Sequence, residues 1–136
     1  IGRFTYTGEG WGLCYNGTQL AMSDGSDTIV FRSPENFNLL RSVKVTLNGQ
    51  PVPRLNELEF AEGFLYANVW QEDSIVKINP ATGKVVAVID ASGLLTPEED
   101  QSADVLNGIA YDPDSGDFYL TGKYWPKLFR VRFIES

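Results

Sequence analysis

Residues 55–89 of this sequence, LNELEFAEGFLYANVWQEDSIVKINPATGKVVAVI, decide its fold. Short apolar stretches follow one another here, separated by turn residues such as Glu62-Gly63. Apolar and polar side chains alternate within the stretches, which is typical of strands with one buried face. The segment therefore predicts four antiparallel strands joined in chain order by turns.

The same unit occurs three times in the chain. Its first strand is expected to open at Trp11-Gly12-Leu13, at Asn56-Glu57-Leu58 and at Asn107-Gly108-Ile109. These starts are 45 residues (58 − 13) and then 51 residues (109 − 58) apart. We predict second strands at 19–23, 64–69 and 118–122, third strands at 28–31, 74–78 and 128–133, and fourth strands at 43–47 and 85–89. Four strands in about 40 to 50 residues indicate a propeller blade, so the predicted fold is an all-β β-propeller with three blades on a four-stranded plan.

The two ends of the chain suggest that the propeller is incomplete. Residues 3–7 have the pattern of an outer fourth strand from a preceding blade, and the third unit stops after its third strand. Three blades are too few to close a ring. We therefore expect residues 1–136 to form the C-terminal part of a single propeller domain whose N-terminal blades are absent from this chain. A second chain that supplies the missing blades is an expected partner.

The composition excludes several classes of function. The net charge of -7 argues against binding to nucleic acid or to an anionic membrane surface, and no apolar run reaches the roughly 18 residues of a membrane span. The sequence has no histidine, which removes Ser/His and Cys/His nucleophile pairs. Its one cysteine, Cys14, cannot form an internal disulfide and is expected to be a small core residue. The acidic run at 97–100 is expected to be a solvated loop.

Blade geometry brings six side chains to one rim. In a four-stranded meander, the connection into the first strand and the turn after the second strand lie on the same face. Aligning the units puts six residues at these positions: Trp11, Asn56, Asn107, Asp24, Trp70 and Lys123. Two indoles with a few polar groups suit a shared ligand pocket. Simpler interpretations remain open here: the tryptophans as rim packing, the asparagines as turn caps, and Lys123 as a solvated side chain.

Six short stretches, in the same order as in the family, resemble the glutamine cyclotransferases of plants and bacteria. They are GEGWGL (8–13), MSDGS (22–26), LNELE (55–59), ANVW (67–70), LNGIA (106–110) and TGKYWP (121–126). The resemblance implies a five-bladed propeller with its active site at the central mouth, no metal or other cofactor, and a secreted or periplasmic location. It matches Trp11, Asn56, Trp70 and Lys123 to the family's active-site residues. Asn107 and Asp24 are added from blade equivalence alone.

The resemblance also implies a reaction, the conversion of an N-terminal glutamine of a peptide or protein into pyroglutamate with release of ammonia. Asn56 and Lys123 would be the catalytic residues, while Trp11, Trp70, Asn107 and Asp24 would bind substrate. The family's catalytic glutamate lies in an early blade, upstream of this sequence, and neither Glu9 nor Glu57 is an obvious substitute. Activity of the chain by itself is therefore an open question.

Two other classes of function remain open. One is a non-enzymatic propeller that binds a protein or peptide partner at its central mouth. The other is a propeller hydrolase or lactonase, which would need a cage of Asp, Asn and Glu ligands for a metal at the axis, where the two tryptophans leave little room.

Overall fold

A computed structural model describes residues 2–135, and these residues form an all-β protein, as predicted. The first sheet contains β1 (Gly12–Tyr15), β2 (Leu20–Ser23), β3 (Thr28–Arg32) and β4 (Leu39–Lys44), and a small hairpin of β5 (Thr46–Leu47) and β6 (Gln50–Pro51) follows it. The second sheet contains β7 (Leu55–Ala61), β8 (Phe64–Val69), β9 (Ser74–Ile78) and β10 (Val85–Asp90). After the short helix α1 (Pro97–Asp100), the third sheet contains β11 (Leu106–Asp112), β12 (Asp117–Gly122) and β13 (Phe129–Val131). Each sheet is an antiparallel meander in chain order.

The turn between β7 and β8 shows why the sequence pattern of residues 55–89 predicted the strands of the second sheet. Glu62 and Gly63 both have positive φ angles, 51° and 85°, which a two-residue hairpin turn requires. The turn sets Ala61 opposite Phe64 and Leu58 opposite Ala67. The predicted ranges 64–69 and 74–78 are confirmed as β8 and β9.

Two apolar cores hold the sheets together. One lies between the first and second sheets and includes the fully buried Phe31, Leu55 and Ile78. The other joins the second and third sheets through Ile75 and Leu120. Strand β7 also packs against both β1 and β11, so the first strands of the three sheets are neighbours.

Residues 3–7, which are predicted as the outer strand of a blade outside this chain, form no strand within the described residues, and their place in that blade stays a prediction. This segment pairs with no strand in the described part of the chain, and its aromatic side chains pack on a loop instead. Phe4 stacks on Phe37 with ring centroids 5.9 Å apart, and Tyr6 lies 5.7 Å from the same ring. A strand needs a free sheet edge for its backbone, whereas aromatic contacts need only an apolar surface.

Three further segments differ from the prediction by more than one residue or in type, whereas the other predicted strand ends differ by at most one residue. The fourth strand of the first sheet covers 39–44 rather than 43–47, because Asn48 and Gly49 have positive φ angles of 52° and 80° and turn the chain into the β5–β6 hairpin. The predicted third strand at 128–133 shortens to β13. The acidic run at 97–100 is helical rather than a loop, because Thr96 and Glu99 form a reciprocal capping box.

No helix within residues 2–135 is long and apolar enough to cross a bilayer.

Candidate active site

One end of the three sheets gathers the predicted site residues. Gly12 pairs with Ser23, Leu55 with Val69, and Leu106 with Gly122, so each first strand begins where the second strand of its sheet ends. The backbone N–H of Trp70 donates to the Arg54 carbonyl at 2.8 Å, and the N–H of Lys123 donates to the Val105 carbonyl at 2.9 Å. Trp70 and Lys123 therefore occupy equivalent positions in neighbouring sheets.

Trp11 and Trp70 meet across the first two sheets. Their ring centroids are 5.5 Å apart and their planes make an angle of 78°, an edge-to-face contact. Gly25, whose φ angle is +85°, packs closely against the Trp11 indole. A Cβ added to Gly25 would lie only 2.6 Å from a ring carbon of Trp11. The Trp11 indole N–H donates to a Glu9 carboxylate oxygen at 2.9 Å. The two indoles thus form a fixed aromatic corner, with 36% of the Trp70 surface open to solvent.

Asn56 is held beside this corner by a contact between sheets. Its backbone carbonyl accepts a 2.5 Å hydrogen bond from the Ser23 hydroxyl. A Cβ at Gly12 would overlap the same carbonyl, so only glycine permits this approach. The pairing register shifts between Leu55 and Leu58, which is a β-bulge at Asn56-Glu57. Bulges redirect side chains and are common near functional sites.

Asn107 links the second and third sheets. Its side-chain oxygen accepts a 3.2 Å hydrogen bond from the backbone N–H of Glu57. A parallel bond runs from the Gly108 N–H to the side-chain oxygen of the fully buried Asn68, at 3.1 Å. The amide oxygen of Asn107 is therefore already engaged in holding Glu57 in place.

Asp24 does not occupy the blade position that we predicted. The strand pairs are Leu13 with Met22, Leu58 with Ala67, and Ile109 with Leu120. Counting three residues on from Met22, Ala67 and Leu120 gives Gly25, Trp70 and Lys123. The residue of the first sheet that is equivalent to Trp70 and Lys123 is therefore Gly25, and Asp24 precedes it by one residue. The Asp24 carboxylate instead accepts hydrogen bonds from the Ser26 N–H at 3.0 Å and the Ser26 hydroxyl at 2.5 Å. The predicted alignment placed a one-residue gap between the first two units, but the paired residues enclose hairpins of the same length there (22 − 13 = 67 − 58 = 9), so no gap belongs between them.

Lys123 lies at the same end of the sheets but stands apart from the aromatic corner. Its ammonium group is 3.9 Å from an Asp104 carboxylate oxygen and 5.6 Å from the centre of the Tyr124 ring. The side chain is 62% exposed. Within residues 2–135, no hydrogen bond or ion pair joins its ammonium group to Trp11, Asn56 or Trp70.

Glu57 is a residue that the sequence reasoning set aside. With Tyr6, Trp11, Leu13, Met22 and Phe37, it lines a cavity of about 360 Å³. Burial raises the pKa of its carboxyl group, the hydrogen bond from the Leu58 N–H opposes that rise, and the nearby negative charge of Glu59 adds to it. Its position directly after the candidate Asn56 is the one signal that the sequence offers, because the bulge that turns it toward the cavity is visible only in the strand pairing.

Cys14 is buried in the first core, as predicted. Burial, and to a smaller extent the charges of Glu59 and Glu57, raises the pKa of its thiol to about 12. The reactive thiolate is then about a thousandfold rarer at pH 8 than for an ordinary cysteine. We expect iodoacetamide to leave Cys14 unmodified in the native protein and to label it rapidly in denaturant, measured by intact mass. Labelling at equal rates in both states would contradict this.

Residues 2–135 contain no group of three or more Asp, Glu or Cys side chains placed to hold a metal ion.

Comparisons with known proteins agree on one family. The family model described as glutamine cyclotransferase matches residues 1–133. A glutaminyl-peptide cyclotransferase of Arabidopsis thaliana is 39% identical over 131 residues, which cover 94% of this chain and 41% of that protein. The crystal structure of a Myxococcus xanthus glutaminyl cyclase superposes with a TM-score of 0.84 at 50% identity, covering 94% of this chain and 56% of the other. A computationally designed protein, Ika4, matches at a TM-score of 0.54 and 11% identity over 97% of this chain and all of its own, a likeness of fold alone. The chain thus spans about half the length of the relatives that it matches.

Proposed function

Since the chain belongs to the glutamine cyclotransferase family, we propose that the complete protein is a glutaminyl-peptide cyclotransferase. Its substrate is a peptide or protein with a free N-terminal glutamine. The observation that carries the proposal is the aromatic corner of Trp11 and Trp70 beside the bulge at Asn56, because a compact, uncharged ring product suits apolar walls with a few placed polar groups.

The reaction is intramolecular. The neutral α-amine of the glutamine attacks the carbon of its own side-chain amide, and a new C–N bond closes a five-membered lactam. The amide C–N bond then breaks, and the proton that the amine gives up leaves with the departing nitrogen as ammonia. Holding the two reacting groups in a near-attack geometry supplies much of the rate.

Each site residue has a part in this scheme. Trp11 and Trp70 enclose the glutamine side chain and exclude water from it. Asn56 donates a hydrogen bond to the amide oxygen as negative charge develops there, and Lys123 stabilises that charge or tunes the pKa of the proton-transfer carboxylate. Asn107 holds the bulge through the Glu57 N–H. Asp24 shapes the turn beneath Trp11 through its bonds to Ser26.

We propose that the three sheets are blades of a five-bladed propeller, with the remaining blades in the rest of the protein or in a second chain. Two four-stranded meanders and a three-stranded one with neighbouring first strands support this arrangement. The family's catalytic carboxylate would come from those remaining blades and would carry the proton from the amine to the leaving ammonia. By the same relationship, we propose a secreted or periplasmic location.

The test is a cyclisation assay on the complete protein. A Gln-Ala-Ala peptide is expected to lose one ammonia, seen both as free ammonia and in the peptide mass. The same peptide acetylated at its N-terminus is expected to remain unchanged, because it has no free amine. A native mass of the active species shows whether a second chain completes the ring. No ammonia from the free peptide would refute the enzyme and favour a non-enzymatic binding protein.

A further inference from the structure

Glu57 brings a carboxylate to the cavity that Trp11, one of the two indoles of the aromatic corner, helps to line. The cavity walls are mainly apolar, with Trp11, Tyr6 and Phe37 as aromatic members. One carboxylate oxygen of Glu57 accepts the Leu58 N–H at 3.1 Å. Glu57 takes part in none of the ion pairs between side chains of residues 2–135. The cavity therefore contains a half-buried anion without a cation among the described residues.

The neighbouring Glu59 differs from Glu57 in how its carboxylate is bonded. Glu59 lies two residues along the same strand, where one of its oxygens accepts the Phe60 N–H at 2.9 Å and the other accepts the Tyr111 N–H at 3.2 Å. One oxygen of Glu59 thus accepts a hydrogen bond within β7, and the other accepts a hydrogen bond from β11. Glu57 makes no such bond between sheets with its carboxylate in the described part of the chain.

The chemistry that fits such a cavity is a small cation that donates hydrogen bonds. A carboxylate accepts charge-assisted bonds from an ammonium group, and aromatic faces attract the same charge. The raised pKa of Glu57 agrees with this, because a desolvated anion gains most when a cation joins it.

We infer that the Glu57 carboxylate binds the α-ammonium group of the substrate's N-terminal residue and positions it beside Asn56. The identity of that residue as glutamine rests on the proposed function. Asn107, which holds the Glu57 backbone N–H, fixes the direction from which the carboxylate reaches the cavity. Glu57 thus selects a free N-terminus and aligns its nitrogen. The bound ammonium group passes one proton to the proton-transfer carboxylate before that nitrogen attacks, and the departing nitrogen takes this proton together with the one lost on ring closure and leaves as ammonium.

The experiment compares Glu57→Gln with Glu59→Gln in the complete protein. The binding probe is a Met-Ala-Ala peptide, which has a free amine but cannot cyclise, with its N-acetylated form as the reference. Calorimetry is expected to show that the wild type prefers the free peptide by about ten- to a hundredfold, the usual strength of a hydrogen bond to a charged group. Glu57→Gln is expected to lose the preference and to raise KM for Gln-Ala-Ala by a similar factor. Glu59→Gln is expected to keep the preference, and Glu57→Asp, which retains the charge, is expected to keep part of it.

The outcomes separate this inference from the proposed function. If the wild type releases ammonia but Glu57→Gln keeps the preference for the free peptide, the inference is wrong and the enzyme stands. If both glutamine variants lose the preference equally, the effect is one of general charge or folding and the inference is wrong. If the wild type releases no ammonia, the proposed function fails, while the binding comparison still decides whether Glu57 recognises an N-terminal amine. Thermal unfolding of each variant, with Glu57→Asp as the milder change, controls for loss of fold.

Discussion

Replacing Lys123 by alanine in the complete protein is expected to lower kcat for Gln-Ala-Ala by about a hundredfold or more while the fold remains intact. Removing a single group that stabilises developing negative charge costs about a hundred- to a thousandfold in other enzymes. The fold should survive because the side chain is 62% exposed and its ion pair with Asp104 is long, at 3.9 Å. Exposed pairs of this kind contribute little to stability.

Lys127→Ala is the matched control for Lys123→Ala. Lys127 follows four residues later, is 55% exposed and pairs with Glu99 at 2.8 Å. Its removal takes away the same charge from the same stretch of chain, so kcat near that of the wild type is expected. Ammonia release gives kcat, and a thermal melt gives stability. A Lys123→Ala enzyme within twofold of the wild type, or equal losses in both variants, would remove Lys123 from the site.

Trp70→Ala is expected to lower kcat/KM for the same peptide by about ten- to a hundredfold. The change removes one of the two indoles at the corner and lets water reach the reacting groups, and truncating a large aromatic contact of this kind commonly costs 2 kcal/mol or more, about thirtyfold. Because Trp70 is 36% exposed, its loss opens the corner without emptying either apolar core.

Trp70→Phe is the conservative comparison for the alanine variant. A phenyl ring can keep an edge-to-face contact with Trp11 and should recover much of the lost kcat/KM. Steady-state kinetics and thermal melts of the three proteins give the comparison. If kcat/KM falls only in proportion to the unfolded fraction of the Trp70→Ala protein, Trp70 stabilises the fold and does not bind substrate.

The sequence predicted the strands well where turn chemistry and alternation agree. Residues 64–69 and 74–78 are strands to the residue, and for the first of them the Glu62-Gly63 turn fixes the hairpin with β7 locally. Where a strand needs a partner from another blade, the sequence pattern alone does not decide the structure. Residues 3–7 alternate like a strand, but the described part of the chain offers them no edge to pair with, so Phe4 packs on Phe37 instead.

The sequence predicted which loops carry the candidate site residues, but it did not predict the contacts that these residues make. The placement of Trp70 and Lys123 at equivalent positions followed from the repeat. The alignment of Asp24 failed by one residue, because it placed a gap between the first two units where the paired strand residues enclose hairpins of equal length. The catalytic and binding roles of all six residues stay predictions until the variants are measured.

What the sequence by itself determined is local: the strand and turn pattern, its threefold repetition, and the motifs that identify the family. Only the tertiary structure decided that the Ser23 hydroxyl reaches the Asn56 carbonyl, that Asn107 holds the Glu57 N–H, and that Glu57 lines the cavity beside Trp11. These contacts join residues 33 and 50 positions apart, and their geometry depends on a bulge and on glycines that let two sheets approach. Strand periodicity follows from the backbone of each segment, whereas the position of a side chain in a shared cavity depends on how separate sheets pack together.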